Sequence, residues 1–171
     1  MLIPVAFSIG VASVPMVGMA VGAKNIARAR RVAWTAAYLA AAALAVIGGI
    51  VVVVPDAWSR LFTTDEAVIA TARQYLIAAG AGFPFFGFGL CLYFASQGSG
   101  KVLGPVVAGT IRLVMVAIGG WWLTASGAET WTLFALAGAA MAVYGLSTGV
   151  LVRATPWNAL IRVNPGSGAG R

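Results

Sequence analysis

Hydrophobic positions along this chain gather into long blocks, and polar positions into the short stretches between them. Four blocks carry no charge, over residues 2–22, 32–55, 74–98 and 131–152, and a fifth, 102–124, is interrupted only by Arg112. An α-helix needs about 20 consecutive apolar residues to cross the hydrocarbon core of a bilayer. The pattern therefore predicts an all-α membrane protein, with five transmembrane helices in one bundle over residues 1–153. Glycine and proline recur inside the blocks, at Pro15, Gly48-Gly49, Pro84 and Gly119-Gly120. They would damage soluble helices, but packed membrane helices carry them because neighbouring helices re-satisfy the freed backbone groups. Barrel strands are excluded, since those are about 10 residues long and alternate polar with apolar positions.

The connections add detail. In Thr63-Thr64-Asp65-Glu66, Thr63 and Glu66 stand at capping-box spacing, and acids in a first turn favour the positive end of a helix dipole. A helix is predicted to begin there and to run through Arg73 straight into the third span. The tail, residues 154–171, lacks periodicity and ends in Asn164-Pro165-Gly166-Ser167-Gly168-Ala169-Gly170, so it reads as a disordered cytoplasmic segment.

Composition narrows the function classes. With 61% hydrophobic and 9% charged residues, the chain cannot be a soluble globule, which carries about a quarter charged residues. It has no His and one Cys, which excludes a His/Cys metal cluster, a Ser-His-Asp or Cys-His pair and a disulfide framework. No enzyme chemistry, metal or cofactor is expected, and Cys91 reads as an inert small hydrophobe. The net charge of +7 would suggest nucleic acid in a soluble protein. Here the basic residues lie between apolar blocks with no aromatic-basic alternation, so they are topology signals rather than a nucleic-acid surface.

Those signals alternate. Lys24, Arg28, Arg30, Arg31, Lys101, Arg153, Arg162 and Arg171 fall on one side, whereas Arg60, Arg73 and the acids Asp56, Asp65, Glu66 and Glu129 fall on the other. The positive-inside rule then predicts an inner-membrane protein with its N-terminus outside and its C-terminus cytoplasmic. The first block is no secretory signal, because Leu2 follows Met1 with no preceding cation. Trp34, Trp58, Trp121, Trp122, Trp131 and Trp157 lie near block ends, as interfacial anchors do.

Candidate functional residues sit within the spans. Arg112 lies eleven residues past Lys101, which at about 1.5 Å per residue is roughly 16 Å deep. An Arg there costs about 2.5 to 3.5 kcal/mol on insertion scales, so it faces a cavity or is pinned to neighbouring carbonyls. In the third span, Tyr75, Ala78, Gly82, Phe85, Gly89, Tyr93 and Ser96 share helical spacing, with Gln97 next to them. A face of rings and small residues suits a cavity for cationic or amphipathic molecules, or ordinary helix packing. Pro84 should bend that span. Gly18-x-x-x-Gly22 in the first span and Gly138, Ala142, Gly145 and Gly149 in the fifth allow close helix contact.

Several of these stretches together resemble a known family. Val17-Gly18-x-x-x-Gly22-Ala23-Lys24 followed by Ala27-Arg28-Ala29-Arg30 is similar to a helix-end and loop pattern of multidrug and toxic compound extrusion (MATE) transporters. So is Leu61-Phe62-x-x-Asp65-x-x-Val68-x-x-x-Ala72-x-x-Tyr75-Leu76, and Pro84 leads to Gln97-Gly98-Ser99-Gly100-Lys101, with Pro105 and Arg112 beyond, like that family's glycine-rich turn. The resemblance covers residues 2 to about 153. It implies a cation-coupled exporter of twelve helices in two lobes, of which this chain matches the eighth to twelfth, a partial second lobe. It further implies small organic cationic or amphipathic substrates, alternating access, and partnership with N-terminal helices absent from this chain. Na+ or H+ would be the coupling ion. The chain departs from the family at Met19, where Gln is frequent, and in having no acid from Gln74 to Gly100. The ion site is therefore expected outside this chain. Two other readings remain: a lipid-linked saccharide flippase fragment, and a non-transporting membrane interaction subunit whose small-residue faces are its function.

The charge alternation predicts accessibility. In a Cys91→Ala background, Glu66→Cys and Glu129→Cys should be labelled from outside intact cells by a membrane-impermeant maleimide, and Ile26→Cys and Asn158→Cys should not. The reverse pattern would overturn the orientation.

Overall fold

The computed structural model describes residues 2–155 and Trp157. It contains α1 (Leu2–Gly22), α2 (Ile26–Val53), α3 (Pro55–Ser59), α4 (Glu66–Gly80), α5 (Phe83–Ser99), α6 (Leu103–Ala125) and α7 (Thr130–Ala154). Four helices are long and apolar enough to span a bilayer, and the bent pair α4 and α5 makes a fifth span if counted as one. Most of the tail reading, including Arg162 and Arg171, lies outside the described residues. Trp157 is buried at 5% exposure rather than facing an interface, and its indole Nε1–H donates to the Val152 carbonyl at 3.1 Å.

Helix starts follow capping chemistry more closely than hydropathy. The expected second span began at residue 32, but α2 begins at Ile26, where Asn25 caps it by accepting from the Arg28 N–H at 3.0 Å. Arg28, Arg30 and Arg31 are good helix formers and continue the helix beyond its apolar block. At the far end Pro55 stops α2 and opens the short α3, a helix the apolar pattern conceals. The capping box expected at Thr63 and Glu66 does not form. Asp65 is the cap of α4, accepting from the Ala67 and Val68 N–H groups, while the Thr63 hydroxyl accepts from the Asp65 N–H. Glu66 pairs instead with Arg60 at 3.3 Å.

The third span, expected as one helix over 74–98, is two. α4 ends at Gly80, α5 starts at Phe83, and their axes diverge by 57°. Pro84, second residue of α5, lacks the N–H that would have continued the α4 ladder. Packing fixes the bend. A Cβ on Gly82 would meet the Gly138 carbonyl at 2.8 Å, and one on Gly138 would meet the Ala78 carbonyl at 2.5 Å, so α7 passes the break at backbone contact.

α5 is the centre of the bundle, packed by α1, α2 and α7, whereas α6 lies mainly along α7. The largest buried cluster joins Val17 and Ala20 of α1, Ala29 to Ala40 of α2 and Cys91 to Ala95 of α5. Glycines of α7 serve this packing: a Cβ on Gly145 would run into the Phe85 carbonyl, and one on Gly149 would lie 3.0 Å from the Phe88 ring. In α1 only Gly18 of the Gly-x-x-x-Gly pair faces a neighbour, and Gly22 faces open space. The turns repeat one design. Asn25 N–H bonds to the Ala20 carbonyl, Lys101 N–H to Ser96 and Ala128 N–H to Leu123, each across a left-handed residue, Lys24, Gly100 and Gly127.

These turns separate charge. Lys24, Arg28, Arg30, Arg31, Lys101 and Arg153 lie at one end, where Arg30 and Arg153 border one hollow with Trp34 and Tyr38. The four acids lie at the other end, with Arg73 3.6 Å from Asp56.

Close approach at Gly145 predicts a contrast in stability. Gly145→Ala drives a methyl into backbone that cannot move aside, and should destabilise by about 2 kcal/mol. Gly120→Ala meets nothing within 4 Å and should be neutral or stabilising by up to about 1 kcal/mol. Thermal unfolding in detergent micelles checks the pair; equal shifts would contradict the packing.

Candidate functional site

Arg112 is carried nine residues into α6 from Leu103, at about 1.5 Å per residue roughly 14 Å from the basic end. It is half-buried, and α6 turns it toward α5 and α7 rather than to open surface. Its Cζ sits 5.3 Å from the centroid of the Phe86 ring and 5.8 Å from that of Tyr144. Those rings, one from α5 and one from α7, lie 6.1 Å apart and tilted by 40°, a shared platform under one guanidinium. A desolvated cation on a ring face gains about 2 kcal/mol. Arg112 is half-buried, so each face contributes less than that, and together they offset part of the roughly 2.5 to 3.5 kcal/mol that Arg costs at this depth.

The guanidinium keeps its hydrogen-bonding capacity. Among the described residues it makes no ion pair, and all four acids of the chain stand at the opposite end. Its N–H donors are therefore open to water, a carboxylate or another acceptor brought to the α5–α6–α7 contact. The platform has a geometric origin. Gly89 leaves room for the Tyr144 ring, whose Cε1 would lie 2.8 Å from a Cβ at that position. A string of rings extends the same region toward α1, from Tyr93 to Phe94 at 5.7 Å and from Phe94 to Phe7 at 4.8 Å.

The other sequence candidates are dispersed. Because of the bend, the face predicted from Tyr75 to Ser96 is not one face. Tyr75 belongs to α4, packs edge-on against Phe134 at 5.4 Å, and borders a hollow of about 530 Å³ with Val68 and Thr71. Phe85 is 39% exposed, while its backbone carbonyl faces Gly145. Tyr93 is half-buried beside Phe94. Ser96 is buried, and its carbonyl accepts from the Ser99 hydroxyl at 2.9 Å and the Lys101 N–H at 3.1 Å. Gln97 is exposed, and its carbonyl takes the Gly100 N–H at 3.0 Å. Gly98 packs against the Val14 carbonyl of α1, and Gly100, at φ 74°, is the left-handed residue that closes α5. Pro84 stands beside the break rather than within a continuous helix.

Phe86 and Tyr144 are the residues that sequence reasoning missed. Depth was the available signal: Arg112 lies nine residues from the basic end of α6 and Tyr144 ten from that of α7, which ends at Ala154. Phe86 carried none, being one of several rings in Phe83-Pro84-Phe85-Phe86.

Comparison with known proteins bears on the whole arrangement. The family model MatE matches residues 1–122, from α1 through most of α6 and including Arg112. No curated protein and no solved structure gives a significant match. The matched span is well over half of the chain, and it is built as apolar membrane-capable helices. The chain belongs to the MatE family, the multidrug and toxic compound extrusion transporters.

Proposed function

We propose that this chain is the C-terminal part of a cation-coupled drug antiporter, driven by Na+ or H+, that works by alternating access in an inner membrane. Family membership supports the transport reading, and the single structural observation that carries it is Arg112 on the Phe86–Tyr144 platform. A guanidinium kept at mid-span, with rings beneath it and free donors, suits a residue whose partner changes between two lobe states. The substrates are small organic cations or amphipathic molecules. The coupling ion binds in helices outside this chain, because the acids Asp56, Asp65, Glu66 and Glu129 all stand at one end and none lies within the apolar blocks. The basic end faces the cytoplasm, following the positive-inside rule.

No covalent chemistry is involved. Arg112 ties α6 to α5 and α7 through the rings, and α7 holds the bent pair α4 and α5 in one geometry, so the three move as one body. Transport then consists of one lobe rocking on the other around a central site.

The test is made in the complete transporter, with export compared at equal membrane abundance. Arg112→Ala and Arg112→Lys should both insert and lose about tenfold or more in export, since a point charge does not replace the planar fork. Tyr144→Leu should approach that loss, while Tyr144→Phe, which keeps the ring face, should retain most activity. Wild-type export by Arg112→Leu would remove Arg112 from the mechanism and leave it a packing tether. The chain expressed alone should insert yet confer no drug efflux; saturable, ion-dependent efflux by it would overturn the partial-lobe reading.

A further inference from the structure

A groove runs between α1 and α2, away from the Arg112 contact, with a volume of about 440 Å³. Its walls are apolar: Ile9, Ala12 and Met16 from α1 face Val32, Ala36 and Leu39 from α2. Arg31 closes one end. Two hydroxyl side chains also line the groove: that of Ser13 is already spent on the Gly10 carbonyl at 2.6 Å, and Thr35 is the other. The antiparallel helices set Met16 near Arg31 and Ile9 near Leu39, so the groove extends from the basic end toward mid-bundle. From Arg31 to Leu39 that is about 12 Å of helix rise.

Charge at its mouth has one sign. Arg31 stands at the end that holds Lys24, Arg28, Arg30, Lys101 and Arg153, and both ion pairs among the described residues are at the other end. A soluble anion would satisfy Arg31 and leave the apolar wall without contacts. An uncharged acyl chain would do the reverse. One ligand chemistry satisfies both. We propose that this groove is a binding site for an anionic glycerophospholipid, its phosphate on Arg31 and one acyl chain laid between α1 and α2. Basic pockets between helices at a membrane surface attract anionic headgroups through this combination of charge and apolar depth. The inference is independent of the transport reading.

Arg30 supplies the internal control, because it faces a different hollow with Trp34, Tyr38 and Arg153. The full chain, purified in mild detergent, is offered phosphatidylglycerol or phosphatidylcholine with the same acyl chains, and retained lipid is read by native mass spectrometry. The chain should retain phosphatidylglycerol over phosphatidylcholine. Arg31→Gln should reduce that preference about fivefold, the equivalent of one basic contact at a membrane surface. Arg31→Lys should keep most of it, and Arg30→Gln should leave it unchanged. Ala36→Trp, which fills the groove, should lower retention of both lipids alike, and excess inorganic phosphate should not displace phosphatidylglycerol. Equal losses in Arg30→Gln and Arg31→Gln would show diffuse charge and overturn the site. Displacement by phosphate alone would make it a headgroup site without a chain, against the proposal. Retention unchanged in both Arg31→Gln and Ala36→Trp would assign the groove to another occupant, such as a second copy of the chain, and likewise overturn it.

Discussion

Helices in a bilayer gain nothing from leaving lipid for one another, so this fold depends on how closely backbone can approach backbone around α5. Contact at that distance replaces the hydrophobic effect with dispersion, which falls off within a fraction of an ångström. α5 meets α1 where Gly98 rests on the Val14 carbonyl, and α7 where Gly145 rests on the Phe85 carbonyl. On the α2 side, Gly87 accommodates Leu44, and Gly48 accommodates Phe83. The 57° bend follows from the same constraint. Proline explains why a break is cheap there; the passage of Gly138 past Ala78 and Gly82 explains why one geometry is held.

Arg112 inherits its setting from that packing. Tyr144 reaches α5 only because Gly89 has no side chain, and only there does its ring join Phe86 to make two faces for one cation. α6 buries little else, with Pro105 and Ala108 its buried residues. Its connection to α5 is consequently a side-chain connection. Against α7 the helix packs closely, with Gly104 on Leu151 and Gly119 on Leu136, so α6 is held by α7 and reaches α5 chiefly through Arg112.

How much of this the sequence shows depends on the range of the interaction. Spans and turns are local: about 20 apolar residues make a crossing, and a cap needs only a few neighbours. The left-handed closing residue at Gly100 is legible for that reason. The depth of Arg112 is legible too, because rise per residue is fixed. Its partners are not, since Phe86 and Tyr144 come from other helices and only the Gly89 approach selects them from eight Phe and four Tyr. The break at Ala81-Gly82 escapes for a related reason. Pro84 marks where bending is easy, but a membrane proline can also be absorbed within a curved helix. Asp65 displaced Thr63 as cap because a carboxylate close to two N–H groups outcompetes a hydroxyl, a local contest that spacing alone leaves undecided.

The two ends of the bundle are unlike in a way that backbone strain makes plain. At the acidic end, exposed pairs Arg60–Glu66 and Arg73–Asp56 are worth at most about 1 kcal/mol each, so they tidy a surface more than they hold it. Among the described residues, the basic end has no ion pair. There the α5–α6 turn uses Gly100 in the left-handed region, while the α1–α2 turn of the same hydrogen-bond pattern uses Lys24 at φ 57°. A side chain there costs roughly 1 to 2 kcal/mol that glycine avoids. A cation at a helix C-terminus recovers about 0.3 to 1 kcal/mol from the dipole of α1, which does not close the gap. Lys24 is thus a net local expense, and its setting says what is gained. It adds charge to an end already rich in cations, the end at which Arg31 lines the α1–α2 groove.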